Sequence, residues 1–249
     1  MKKLLFILLL LVSGLSWSQN NALFNQGKEH YKNGKFQEAI NSWEKVLDNG
    51  QHSADLYFNL GNANYKLNKV APSIYYYEKA LQLAPADKDI KTNLKFAENA
   101  RIDAIEPLPK TVFKKWYEQL AGVLTYDGWA ITSVIGAVLF VLLFLSYWFA
   151  AAEGKKRLFF ITSLVSVLVL FVGLIMAYQT YGDVLKDQPA IVFSESTDAK
   201  SEPSMGSEST FVLHEGTKVQ IKAQEDSWVR VLVANGKDGW IPASDIKKL

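Results

Sequence analysis

The chain contains no cysteine. That removes disulfides, thiolate nucleophiles and cysteine-based metal sites, and it is compatible with an oxidising compartment. Histidine is scarce as well: His30, His52 and His214 are scattered, and none has a second ligand at a spacing such as H-E-x-x-H. Zinc chemistry is therefore not expected. Neither sign of charge dominates, since the formal net charge is +2, so there is no electrostatic case for a nucleic-acid partner. The sequence carries no G-x-S-x-G elbow, no P-loop and no G-x-G-x-x-G fingerprint. Its carboxylates are spread among lysines as solvated helix faces, with the His214-Glu215 pair expected on a solvated turn. These gaps predict a protein that is not an enzyme and holds no cofactor or metal.

What is present begins with an echo at an offset of 34 residues. Gly27, Ala39, Trp43 and Val46 recur as Gly61, Ser73, Tyr77 and Ala80. A fixed period of that size is the signature of a helix–turn–helix array. The glycine lets two antiparallel helices approach, the small residue sits at the crossing, and the aromatic is expected to fill the gap between units. Pro85 closes the second unit because it cannot continue the helix. These registers resemble the tetratricopeptide repeat, over two units in roughly residues 20–86. Ser73 stands where the repeat usually has alanine, which a helix crossing tolerates. Asp87–Ile102 offers one more helix, as a cap or truncated third unit, because a solenoid usually needs about three repeats to bury a continuous core. The repeat region with its capping helix is placed at 20–104.

Three apolar blocks organise the rest. Residues 1–18 combine Lys2 and Lys3, an apolar run and a Ser16-Trp17-Ser18 cleavage triplet, which reads as a secretory signal peptide. Residues 129–152 and 158–178 are each long enough to cross about 30 Å of hydrocarbon as a helix. Aromatic residues sit at their ends, matching interfacial anchoring. Between them lies the basic connection Glu153-Gly154-Lys155-Lys156-Arg157. The positive-inside rule assigns it to the cytoplasm, which leaves both flanks periplasmic and the chain in the inner membrane. Neither span holds an ionisable residue, so transport is a weak reading. Ser133/Ala137 and Thr162/Ser166 place small residues at four-residue spacing, suited to helix packing.

Glu106-Pro107-Leu108-Pro109 ends the array as an extended linker. Residues 111–125 then form an amphipathic interfacial helix, with Val112, Phe113, Trp116, Tyr117, Leu120, Val123 and Leu124 on one face. Two fates suit it: lying in the membrane interface, or packing on the repeats as a lid. Past Tyr181 the period changes from 3.6 to 2. Strands are predicted at 190–193, 211–213, 218–223, 228–233 and 239–242, with 194–210 a loop and Asn235-Gly236 a tight turn. The pattern Leu213-x-Glu215-Gly216-x-x-Val219, Trp228-Val229-x-Val231, Gly239-Trp240-Ile241-Pro242 resembles bacterial SH3-like domains, over 187–249. Trp228 and Trp240 could form an aromatic ligand surface, but tryptophan on alternating strands of a small barrel is more often core, and both are read as core residues.

The fold class is thus a multi-domain membrane protein: an all-α repeat array, a two-helix transmembrane hairpin and an all-β SH3-like barrel. The candidate recognition surface is the concave face of the repeats, lined by the first helix of each unit. Phe24, Asn25, Lys28, Tyr31 and Lys32 align with Phe58, Asn59, Asn62, Tyr65 and Lys66, and Asn93 extends the asparagine row. Asparagine amides can bond an extended peptide backbone, and lysines can hold a carboxylate. The plainer reading makes the tyrosines packing residues and the lysines solubilising ones.

As a set, this order of segments resembles the BatE family, the repeat-containing member of the Bacteroides aerotolerance operon. The resemblance implies a membrane complex with von Willebrand A-type proteins of the same operon, acting in envelope or oxidative stress, with no catalytic residues. The expected function is a non-enzymatic adaptor that presents two recognition modules, whose common tether raises the effective concentration of the second contact. The alternative is cell-wall (peptidoglycan) binding through the SH3-like domain. An envelope enzyme or transporter ranks third.

Overall fold

The computed structural model describes residues 20–249; the expected signal peptide lies outside the described residues. Two compact units result. One combines residues 20–83, 87–108 and 189–249, and the other holds 84–86 and 109–188.

The first unit begins with helices α1 (residues 20–32), α2 (Phe36–Asp48), α3 (Ala54–Lys66), α4 (Val70–Leu83) and α5 (Lys88–Glu98). Their boundaries follow from local chemistry. The Ser53 hydroxyl accepts from the Leu56 N–H to cap α3, and Asp87 accepts from the Asp89 and Ile90 N–H groups to cap α5. After α1 and α3 the chain turns through left-handed residues, Gly34 at φ 74° and Asn68 at φ 56°. These two positions are themselves 34 apart, and glycine and asparagine are the residues that tolerate such a cap. The helices pack where the glycines allow it. A Cβ on Gly61 would lie 2.6 Å from the Tyr77 ring, and one on Gly27 would enter the Trp43 indole. Each aromatic therefore covers the glycine of its own unit, rather than chiefly filling the gap between units. Trp43 and Tyr77 are fully buried, and Ser73 is more than tolerated, because its hydroxyl donates to the Gly61 carbonyl at 3.0 Å.

Residues 189–249 form an antiparallel sheet of seven strands in the order β3-β2-β6-β5-β4-β1-β7. The strands are β1 (Pro189–Val192), β2 (Ser196–Lys200), β3 (Ser209–His214), β4 (Lys218–Glu225), β5 (Trp228–Val233), β6 (Asp238–Pro242) and β7 (Ile246–Lys248). Ala190, Val192, Ala199, Leu213, Val219, Ile221, Val229, Val231, Val233 and Ile241 form one buried cluster. Two strands go beyond the sequence expectation: β2 lies inside the expected loop 194–210, and β7 follows the last expected strand. Alternation along β5 buries Val229, Val231 and Val233, so Trp228 is left half-buried on the other face, and Trp240 is half-buried likewise. The core reading of these two tryptophans is corrected accordingly.

Repeats and sheet share a polar and aromatic seam within this unit. Asp103, just past α5, accepts from the His214 backbone N–H at 2.8 Å and the Thr217 hydroxyl at 2.6 Å, and it pairs with His214 Nδ1 at 2.7 Å. Lys218 reaches Glu78 at 2.7 Å. Tyr75 meets Phe193 edge-on, with the Lys247 ammonium 4.5 Å from the Tyr75 ring centre. Gly216, at φ 82°, approaches Ile74, Val70 and Arg101 so closely that a Cβ would lie 3.0 Å from the first two. The segment 101–108 lies along the sheet: Ile105 packs on its core, and the Leu108 N–H donates to Ala234 O at 3.0 Å. His214 is therefore a partner of Asp103 and not a residue of a solvated turn.

The second unit holds α6 (Val112–Ala121), α7 (Tyr126–Phe149) and α8 (Glu153–Lys186). Helices α7 and α8 are long and apolar enough to cross a membrane, each holding an 18-residue stretch, of mean hydropathy 2.4 and 2.8 respectively. α8 takes in the basic stretch 153–157, so the connection between the helices is only residues 150–152. Backbones touch at two glycines. A Cβ on Gly136 would lie 2.8 Å from Leu170 N, and one on Gly173 would lie 2.8 Å from Ser133 N. Small residues permit such an approach; Ser133 and Ser166 belong to this contact. Gly136→Leu is expected to loosen the hairpin by about 2 kcal/mol through overpacking, read as a fall in the SDS fraction at which helical circular dichroism is lost.

Candidate interaction surface

The inner surface of the array is built from α1, α3 and α5, so α5 takes the place of the first helix of a third unit. Tyr31, Asn62, Tyr65, Lys66, Tyr77, Asn93 and Phe96 line a cavity of about 280 Å³ there. Five of the eleven sequence-derived candidates thus converge: Tyr31, Asn62, Tyr65, Lys66 and Asn93. Asn62 is the hub. Its Oδ1 accepts from the Tyr77 hydroxyl at 2.6 Å and from Asn93 Nδ2 at 2.8 Å. These bonds fix both amides and leave Asn62 Nδ2 and Asn93 Oδ1 as one donor and one acceptor for a ligand, which is the pair a peptide unit requires. Tyr65 and Phe96 are exposed apolar surface at the rim. Lys66 is exposed and, among the described residues, forms no ion pair. Burial pushes the Tyr31 and Tyr77 hydroxyls upward, so both stay protonated donors at neutral pH.

The other six candidates lie elsewhere on the same helices. Phe58 packs against Tyr77 with ring centres 5.9 Å apart, which makes it structural. Asn59 is half-buried, while Asn25 is exposed. Lys28 reaches over the Phe24 ring at 5.9 Å, and Lys32 is paired with Glu29 at 3.0 Å. Phe24 instead lines a second hollow of about 590 Å³ with Asn20, His52, Ser53 and Asp55. Two cavity residues escaped the sequence reading. Tyr77 was assigned only to packing, and Phe96 stands 34 residues after Asn62, so the repeat register itself marked the position.

The cavity presents amides, an aromatic rim and one cation. Among the described residues, no group of three or more His, Cys, Asp or Glu side chains is placed to hold a metal.

A family model described as tetratricopeptide repeat matches residues 24–88, and one described as bacterial SH3 domain matches residues 196–247. Neither spans half of the chain, and no curated protein matches it. Both modules are interaction domains in which catalysis is not typical, the first for protein partners and the second with cell-wall contact among its uses.

Proposed function

We propose that this chain is a non-enzymatic, membrane-anchored adaptor whose repeat cavity takes an extended segment of a protein partner. One observation carries the reading. Asn62 and Asn93 are locked side by side with a donor and an acceptor still unused, between exposed Tyr65, Phe96 and Lys66. An extended peptide with an acidic group matches that set. Because residues 20–108 and 189–249 fold into one unit, they lie on one side of any bilayer the hairpin enters. With Lys155, Lys156 and Arg157 at the opposite end facing the cytoplasm, the unit faces the periplasm of the inner membrane. The packed seam also revises the tether argument: the repeats and the SH3-like sheet act as one body, so a ligand meets both in fixed geometry rather than through raised effective concentration.

The order of segments further supports membership of the BatE family. On that reading the partners are von Willebrand A-type membrane proteins of the same operon, and the complex serves aerotolerance or envelope stress. The bacterial SH3 match favours a second reading, peptidoglycan binding, for which sedimentation of the full detergent-solubilised chain with purified cell wall is the test. For the adaptor, photo-crosslinkers placed in intact cells at Phe96 and Lys66, with exposed Lys45 on α2 as the control, are expected to give a discrete product from the first two alone. Equal or absent crosslinking at all three would reduce the repeats to a spacer.

A further inference from the structure

Helix α6 leaves its apolar face uncovered. Among the described residues it buries no side chain. Phe113 is 81% exposed and Trp116 64%, with Val112, Leu120 and Val123 exposed beside them. Phe113 and Trp116 stand edge to face, 6.3 Å between ring centres, so the face is a shaped aromatic wedge. At 100° per residue Val112, Phe113, Trp116 and Leu120 fall within one stripe, Val123 follows just past the helix end, and Lys114 and Glu118 lie on the opposite side.

The position of this wedge is fixed. Thr111 caps the helix start by accepting from the Lys114 N–H, and Lys110 pairs with Glu118 at 2.7 Å. The Tyr117 hydroxyl donates to Asp183 on α8, and Trp129 Nε1 on α7 donates to the Ala121 carbonyl at 3.5 Å. Burial, followed by the Asp183 carboxylate, pushes the Tyr117 hydroxyl up to about 12, so it remains a donor at neutral pH. Both anchors sit where the hairpin ceases to be apolar. Tyr126 and Tyr181 meet there with ring centres 5.6 Å apart, an aromatic pair at the level where such side chains mark the headgroup layer. Lys110, Lys114 and Lys115 on the same segment add cations that suit anionic headgroups.

We propose that the apolar face of α6 docks into the headgroup–acyl boundary of the bilayer that α7 and α8 cross. The occupant is lipid because α6 is bonded to both helices at the level where they cease to be apolar and carries the aromatic and basic residues of an interfacial helix. This rests on the hairpin being inserted, and it is independent of what the repeats bind. α6 then adds an in-plane helix to the two spans.

The absence of native cysteine makes the test clean. Single-cysteine chains Val112→Cys on the wedge, Lys114→Cys on the opposite side and Val141→Cys in mid-α7 carry an environment-sensitive fluorophore. They are placed in vesicles of phosphatidylcholine and phosphatidylglycerol. Since 112, 114 and 141 are exposed positions, labelling leaves the packing intact. The label at 112 is expected to be quenched by a shallow nitroxide lipid and several-fold less by aqueous iodide than the label at 114. Iodide quenching at 112 equal to that at 114 would overturn the proposal. So would shielding at 112 from both quenchers, which would place a second copy or another protein on the wedge. Quenching at 141 by a deep nitroxide lipid separates a misplaced α6 from a hairpin that is not inserted.

Discussion

Trp43→Ala is expected to destabilise the repeat array by about 4 kcal/mol, the range for truncating a fully buried tryptophan. The indole is 0% exposed. It lies against Gly27 so closely that no other backbone could face it, and its Nε1 donates to the Phe24 carbonyl at 3.1 Å. Tyr31 packs on the same ring. Removing it therefore opens a cavity, strips a hydrogen bond from a carbonyl and frees Tyr31, one wall residue of the inner cavity. Urea unfolding followed by far-ultraviolet circular dichroism would show the midpoint falling. A variant that unfolded like the parent would mean that the first unit contributes little to the array. Trp43→Phe keeps most of the volume and loses the N–H, so it should fall between the two.

Asp103→Ala is expected to weaken the seam between repeats and sheet by about 3 kcal/mol, the cost of removing one partner from a buried charged network. The carboxylate is nearly buried and satisfies the His214 N–H, the His214 ring and the fully buried Thr217 hydroxyl. Alanine leaves those donors without an acceptor. Asp103→Asn keeps an acceptor and should lose less. The same contact gives a pH dependence. Burial pushes the Asp103 carboxyl up, but the Thr217 and His214 hydrogen bonds outweigh it and hold the group below its ordinary value. A depressed carboxyl stabilises the fold fully above its unfolded value of about 3.9. That contribution fades as the pH falls from there through the lower folded value. Acid unfolding should thus be shallower below pH 4 in Asp103→Ala than in the parent, and equal slopes would remove Asp103 from the seam.

The parts of this fold legible in the sequence are those that repeat or run long. The 34-residue offset exposed Gly27/Trp43 and Gly61/Tyr77 because the same packing problem is solved twice. The uncharged stretches exposed α7 and α8 because hydrocarbon demands length. Strand β2 was hidden, since Ser-Thr-Asp-Ala-Lys turns only Thr197 and Ala199 inward and has no large apolar residue to betray its alternation. β7 was hidden by its two lysines. The seam was invisible for another reason: Asp103 and His214 are 111 residues apart, and single polar pairs at such separation leave no local pattern. In the cavity, Asn93 was legible from the period, as the 34-residue echo of Asn59. That Asn62 and Asn93 bond to each other, which decides how much of each amide remains for a ligand, depends on geometry alone.

The chain leaves the first unit at Leu108 and returns to it at Pro189, so the paired helices are an insertion within a folded body. That ordering governs biogenesis. When the first 108 residues are complete, Tyr75, Ile105 and Asp103 still lack the strands that cover them, and those strands emerge only after both apolar helices have been made. Closing a loop of this length is slow compared with local helix formation. Completion of the seam therefore waits on synthesis of both helices, and a chain stalled between them would display an uncovered repeat surface.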